Sequence, residues 1–270
     1  KSQIIQKSGL LEMVQLREAM QDIGGLEKLK PWLEQKSQIF ADWPAARDFG
    51  VESPKGVMIV GMPGCGKSLT AKATAKLFGL PLLKMDIGSL MGKYVGESEG
   101  NMRRAIAVAE AVSPCVLWVD EVEKAFAGIG SGAAGSEVAT RLFGYFLTWM
   151  QEKTAQVFVV TTANDISVLP PELLRKGRFD EIFYVDFPNE AERKAIFRVH
   201  LDKRKKMNQQ IDLHKLAKAT DKYSGADIES IVKEGIERAF LANRAELDTQ
   251  RLMQVIEATH PLGMVMKDKV

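Results

Sequence analysis

Short apolar runs alternate with segments of helical spacing through the middle of this chain. The runs at 57–60, 82–85, 116–119, 157–161 and 182–185 read as strands, and the segments at 67–78, 98–112 and 136–151 read as the helices between them. Strand followed by helix, repeated, predicts a parallel sheet with helices on both faces. Upstream, Leu10, Leu11, Met13, Val14, Leu16 and Met20 give a short helical stripe that Asp22-Ile23-Gly24-Gly25 breaks, the pattern of a linker entering a domain. Another amphipathic segment follows at 26–39. Beyond Pro188 the strand pattern stops, and 190–201, 213–219, 226–243 and 252–259 read as helices. Ser224, three residues before Asp227, resembles a capping box opening one of them. The expected organisation is a helical linker over 1–21, a three-layer α/β/α domain over 22–188 around a five-stranded parallel sheet, and a small all-α domain over 189–270.

Composition narrows the classes of function without choosing one. At 270 residues, 46% of them hydrophobic and 27% charged, the chain can bury one large core or divide into a large and a small domain. A formal net charge of +2 is too mild to imply a nucleic-acid or membrane-surface partner by electrostatics. The run Lys203-Arg204-Lys205-Lys206 has few flanking aromatics for base stacking and reads as a solvated helix end. Cys65 and Cys115 lack the spacing of a metal site or a disulfide scaffold, which fits a reducing compartment such as the cytoplasm. No apolar run approaches the roughly 20 residues that span a bilayer, and no signal-like segment opens the chain. Lys1 stands where an initiator Met would be, so the expectation is a segment of something longer.

Candidate chemistry begins directly behind the first strand. Gly61-Met62-Pro63-Gly64-Cys65-Gly66-Lys67-Ser68 carries the spacing of a phosphate-binding loop. Its glycines let consecutive backbone amides point inward, and a helix opening near Gly66 adds its positive end to that cradle. Lys67 is expected to reach the β- and γ-phosphates and the Ser68 hydroxyl to hold magnesium, with Pro63, Gly64, Cys65, Gly66 and Leu69 completing the binding segment. An ordinary glycine turn can share these letters. A strand before and a helix through Ala71, Ala73 and Ala75 after favour the phosphate loop, and with it a P-loop nucleotidase fold. A second motif, Cys115-Val116-Leu117-Trp118-Val119-Asp120-Glu121, ends a strand in two carboxylates at the sheet edge where ligands bind. Asp120 is expected to assist the magnesium and Glu121 to act as general base on the attacking water.

Two further segments carry a resemblance that runs from about Asp22 to the end. Lys93-Tyr94-Val95-Gly96-Glu97-Ser98-Glu99 is similar to the central-pore loop of AAA ATPases, and Leu174-Arg175-Lys176-Gly177-Arg178-Phe179-Asp180 resembles their second region of homology. Within that family, Ser113-Pro114-Cys115 and the phrasing from Arg175 to Phe183 are most similar to the AAA proteins of cyanobacterial and chloroplast hypothetical reading frames. The resemblance implies that Asp22, Ile23 and Gly24 meet adenine through backbone groups and that Asn164 is the polar sensor placed between γ-phosphate and Glu121. It implies that Ile196 and His200 flank the nucleoside and that Gly225 and Ala226 stand where several relatives put an arginine. Arg175 and Arg178 match arginine fingers that reach a neighbouring subunit's nucleotide, so the resemblance implies a homo-oligomer, specifically a hexameric ring. Tyr94, between Lys93 and Val95, matches the aromatic that grips an extended polypeptide in threading members.

The chain departs from the family pattern in two places. Gln151-Glu152-Lys153 stands where many relatives carry an Asp-Gly-Phe-like segment, and Lys176 replaces the proline common between the finger arginines. The expected function is Mg2+-dependent ATP hydrolysis driving the remodelling or threading of a protein substrate, in the cytoplasm or, in a chloroplast-bearing source, the plastid stroma. An ATP-gated regulatory scaffold that binds partners without pulling on them is the alternative, and Tyr94 separates the two. The absence of a His-Glu-x-x-His segment argues against proteolysis by this chain, and the lack of a basic stripe or aromatic platform argues against a nucleic-acid motor.

Overall fold

The computed structural model describes residues 5, 9–90, 97–126, 135–175 and 177–261. Lys93, Tyr94 and Val95, and Lys176 between Arg175 and Arg178, lie outside the described residues. The described sheet has six strands, β1 (Leu11–Val14), β2 (Gly56–Gly61), β3 (Leu82–Met85), β4 (Cys115–Val119), β5 (Val157–Ala163) and β6 (Glu181–Val185), in the order β1-β3-β4-β5-β2-β6. Packing divides the chain into two units, one of Lys1–Met20, Lys28–Gly61 and Lys67–Tyr184 and the other of Gln21–Glu27, Met62–Gly66 and Val185–Val270.

In the first unit, β3, β4, β5 and β2 pair parallel, with Leu83 opposite Leu117, Leu117 opposite Val159 and Val57 opposite Val160. Every residue of β2, β4 and β5 is buried. That is why these strands read as continuous apolar runs: a parallel sheet covered on both faces has no solvent side to alternate towards. One face packs Met58, Leu117 and Val159 against Phe143 and Phe146 of α6 (Gly135–Glu152) and Met102 of α5 (Glu97–Val112). On the other, Phe158 meets Phe78 of α3 (Lys67–Phe78) at 4.8 Å and Phe40 of α1 (Leu29–Ala41) at 6.1 Å between ring centroids. The short helix α2 (Trp43–Phe49), which the apolar pattern does not announce, follows α1, and α4 (Ile87–Leu90) follows β3.

The helical stripe expected at 10–20 is corrected by the structure. Leu11–Val14 is a strand that pairs antiparallel with β3, Leu11 opposite Met85 and Val14 opposite Leu82. Its spacing satisfies a helix on paper, but the open edge of β3 presents backbone N–H and C=O groups that a strand satisfies and a helix does not. Only Leu11 of the four is buried, as befits an edge strand. The sheet thus keeps the expected five strands and adds a sixth.

Lys153, directly after α6, donates from Nζ to the Val157 carbonyl at 2.7 Å. Burial depresses its pKa from 10.5 to about 8, against the opposing pull of the Asp180 charge. The unfolded chain therefore holds this proton more tightly, so stability rises with pH between about 8 and 10.5, and the full cost applies at pH 7. Lys153→Met is expected to be more stable than the parent by about 1–3 kcal/mol at pH 7, an advantage that shrinks towards pH 10. Denaturant midpoints at the two pH values check this; equal differences at both would remove the ionisation argument.

The second unit is built on α8 (Glu190–Lys203), α9 (Leu213–Ala219), α10 (Gly225–Leu241) and α11 (Thr249–Ala258), which bury Phe197, Leu201, Leu216, Ile228, Val232, Leu252 and Val255 in one core. Two of these helices open on capping boxes. Ser224 Oγ accepts from Asp227 N at 3.2 Å while Asp227 Oδ2 accepts from Ser224 N at 2.8 Å. Asn189 and Glu192 exchange the same pair of bonds at the start of α8, each at 2.9 Å. Buried Arg193 donates to the carbonyls of Pro188 and Ala217 at 2.7 and 3.0 Å, pinning α8 to the end of α9.

Candidate nucleotide-binding and hydrolysis site

The strand β2 ends at Gly61 and α3 begins at Lys67, so the phosphate-loop motif lies in a strand-to-helix turn. Gly64 and Gly66 take φ of +75° and +85°, the left-handed region where a side chain is strained. Lys67 is buried, and its ammonium donates to the Gly61 carbonyl at 2.6 Å. Ser68 and Gly64 are exposed and Pro63, Cys65 and Leu69 half-buried.

Asp120 and Glu121 leave the end of β4 into a network that motif spacing does not reveal. The register of β4 and β5 pairs Val119 with Thr161, which brings the next residues, Asp120 and Thr162, to the same level. The Thr162 hydroxyl donates to Asp120 Oδ1 at 2.7 Å and accepts from the Glu121 backbone N–H at 3.1 Å. Glu121 sits at φ +50°, a conformation that costs a non-glycine residue of order 1 kcal/mol and persists only where neighbours hold it. Asn164, just past β5, donates from Nδ2 to Glu121 Oε1 at 3.3 Å and to Glu123 Oε1 at 2.7 Å. Lys124 makes an ion pair with Glu121, and that hydrogen bond and charge raise the lysine's pKa. Asp120 Oδ2 lies 3.2 Å from the ammonium of Lys84 on β3.

Thr162, Lys84, Glu123 and Lys124 bond the candidate residues Asp120, Glu121 and Asn164, and sequence reasoning missed them. The first two are brought in by strand register, which the chain does not spell out; Glu123 and Lys124 follow the two carboxylates closely enough to have been considered.

The second unit gathers another set. Gly24 passes so close to α8 that a Cβ there would stand 2.6 Å from Ile196 Cγ1 and 2.8 Å from Ile196 N, a separation only glycine tolerates. Leu26 N donates to Glu192 Oε1 at 3.3 Å, fastening the same segment. Ala226 N donates to the Gly64 carbonyl at 3.0 Å, and a Cβ on Gly66 would lie 3.9 Å from Ile23 Cγ2. Ile23, Gly24, Gly64, Gly66, Ile196 and Ala226 therefore belong to one neighbourhood, with Asp22 and Gly225 adjacent in sequence. His200, one turn beyond Ile196, is partly buried; its Nδ1 lies 3.2 Å from Arg204 Nη1 and 4.0 Å from Glu229 Oε1. Burial lowers its pKa below the ordinary histidine value.

A profile of the ATPase family associated with various cellular activities (AAA) matches residues 57–187, and one of the AAA+ lid domain matches 210–254. The chain belongs to the AAA family. It is 47% identical over its whole length to "Uncharacterized AAA domain-containing protein ycf46" of Pyropia yezoensis, covering 54% of that protein. The protein of the same name in Guillardia theta is 43% identical, again over all of this chain and 53% of the relative. The human "ATPase family gene 2 protein homolog A" is 35% identical over 86% of this chain and 26% of its own length. The chain thus spans about half the length of the plastid-type relatives it matches.

In this AAA domain Arg175 and Arg178 sit on a loop tied to the start of β2. Arg175 ends α7 (Pro171–Leu174) and is exposed, and Arg178 Nη1 donates to the Glu172 carbonyl at 2.5 Å. Asp180 Oδ2 accepts from Lys55 N and Gly56 N at 2.8 and 3.0 Å, while Lys55 Nζ donates to the Gly177 carbonyl at 2.8 Å. Neither arginine bonds Asp120, Glu121 or Asn164 among the described residues.

Ser68 and Asp120, the two residues expected to hold a cation, are a hydroxyl and a carboxylate, both hard oxygen donors. Among the described residues no group of three or more His, Cys, Asp or Glu could hold a metal. That sparse set fits Mg2+, which keeps several waters and is shared with substrate phosphates rather than caged by protein. No helix of the described residues is long and apolar enough to cross a membrane.

Proposed function

We propose that the chain is an Mg2+-dependent ATP hydrolase that assembles into a homo-oligomeric ring, a hexamer, and uses turnover to remodel or thread a protein substrate. The observation that carries the hydrolytic part is Glu121: its left-handed backbone is held by Thr162 through the N–H, and its carboxylate accepts from Asn164, next in sequence to the carboxylate of Asp120. A group meant only to end a strand needs none of this.

The division of labour follows from the chemistry of each residue. Backbone amides of the Gly64–Gly66 turn receive phosphate oxygens, and Lys67 leaves the Gly61 carbonyl to neutralise the β- and γ-phosphates. Ser68 and Asp120 hold Mg2+, which when bound offsets the charge of the transferred phosphoryl group. Glu121 accepts a proton from the attacking water, and Asn164 fixes the carboxylate's direction. Ile23, Gly24 and Ile196 supply the close, apolar and backbone-lined neighbourhood in which an adenine ring is recognised. Exposed Arg175 and partly exposed Arg178, anchored away from Glu121, serve the nucleotide of an adjoining subunit. The threading role rests on Tyr94 and its glycine neighbours in the pore-loop motif.

Loss of the Lys67 ammonium tests the binding half of this reading directly. Lys67→Ala is expected to weaken binding of a fluorescent ATP analogue about ten- to a hundredfold, the range of a charge-assisted contact. Equal affinity in a titration of the two proteins would count against the phosphate loop as the site.

A further inference from the structure

Each oxygen of Asp120 already has a protein partner. Thr162 takes one oxygen at 2.7 Å and the Lys84 ammonium the other at 3.2 Å, with the Asp120 side chain only 17% exposed. Strand register produces this arrangement. Lys84 pairs with Trp118 across β3 and β4, so the two side chains rise from the same face. Asp120 is two residues beyond Trp118 and returns to that face, within the reach of a lysine stem. The Lys84 ammonium also stands 4.5 Å from the centroid of the Trp118 ring, a second electrostatic seat next to the first.

We propose that Lys84 is the resident counter-ion of Asp120 and sets the Mg2+ concentration at which the nucleotide site fills. Without metal, the ammonium neutralises the carboxylate and fixes its rotamer. Lys84 would oppose a dication at Asp120 by its charge, and on yielding Oδ2 it would keep the Trp118 face as its other seat. Lys84 is a positioning residue: it touches neither phosphate nor water in this account and acts through Asp120. The inference rests on the ATP-hydrolase reading and adds to it a device that makes the site respond to free Mg2+.

The test is a titration of Mg2+ against binding of a fluorescent ATP analogue, in the parent chain and in Lys84→Met and Lys84→Arg, each first shown to be folded by circular dichroism. Lys84→Met is expected to reach half-saturation at about five- to tenfold lower Mg2+, because one charge close to the site is gone. Lys84→Arg keeps the charge and is expected to follow the parent within about twofold. Lys84→Gln, which retains a polar stem, stands in if the methionine variant does not fold, with the same downward shift expected. Binding with coincident Mg2+ half-points in parent and neutral variants overturns the role of Lys84 and leaves the ATP reading intact. No binding by the parent at any Mg2+ overturns the ATP reading itself, and this inference with it.

Discussion

Glu121→Gln is expected to bind ATP as the parent does while losing about 10² to 10⁴ in turnover, the span that a positioned general base contributes. The amide keeps the shape of the side chain and its hydrogen bond with Asn164, in which the amide oxygen can still accept. It cannot take a proton from water. The backbone of Glu121 adds weight to this expectation, because its left-handed φ of +50° is held by the Thr162 hydroxyl through the Glu121 N–H and is not altered by the substitution. Glutamine at this position also loses the ion pair with Lys124, so the two proteins differ in charge as well as in basicity. Lys124→Met separates these: it removes the ion pair while leaving the base. Phosphate release under saturating ATP, with affinity read separately from the fluorescent analogue, is the measurement. Turnover at the parent rate in Glu121→Gln would remove Glu121 from the chemistry.

Arg178→Ala is expected to cost about 10³ to 10⁵ in turnover per site, the range of an arginine finger, while leaving that subunit's own nucleotide affinity unchanged. The distinguishing experiment mixes variant and parent chains at fixed total concentration. A finger given in trans makes activity fall faster than the fraction of parent subunits, since each variant silences a neighbour's nucleotide. A straight line through the titration means that each chain completes its own site. Arg178 in the structure donates to the Glu172 carbonyl of its own loop, and Arg175 is exposed at the end of α7. Neither bonds Asp120 or Glu121 of the same chain among the described residues, as a finger serving a neighbour requires.

The parts of the fold that could be read from the chain are those whose burial leaves a one-dimensional trace. Strands β2, β4 and β5 are buried on both faces and so carry uninterrupted apolar runs, and Ser224 with Asp227 makes the capping box its spacing suggests. Leu11–Val14 could not be read because its spacing suits a helix equally well, and the choice was made by an unpaired strand edge more than 65 residues downstream, at Leu82–Met85. The site divides in the same way. Gly61–Ser68, Asp120 and Glu121 stand out as candidates because their motifs lie in local order along the chain, whereas Asn164 is picked out only by the family resemblance. Thr162 and Lys84 do not, because each reaches Asp120 sideways across the sheet, and a threonine or lysine within a strand carries no mark of its neighbour in register. Asn164 sits two residues beyond Thr162, so one short stretch of β5 and its exit supplies both hydroxyl and amide to adjacent carboxylates.

A change at Asp180 reaches two ends of one strand. Its carboxylate grips the first amides of β2 while the loop bearing Arg175 and Arg178 hangs from the same residue, and six residues later the Gly61 carbonyl holds Lys67. Strand β2 is thus a ruler that spaces the loop of Arg175 and Arg178 from the ammonium of Lys67. Variants that shift the mark at Gly56 move both readings together, and a lost rate in such a protein says nothing about which charge was misplaced.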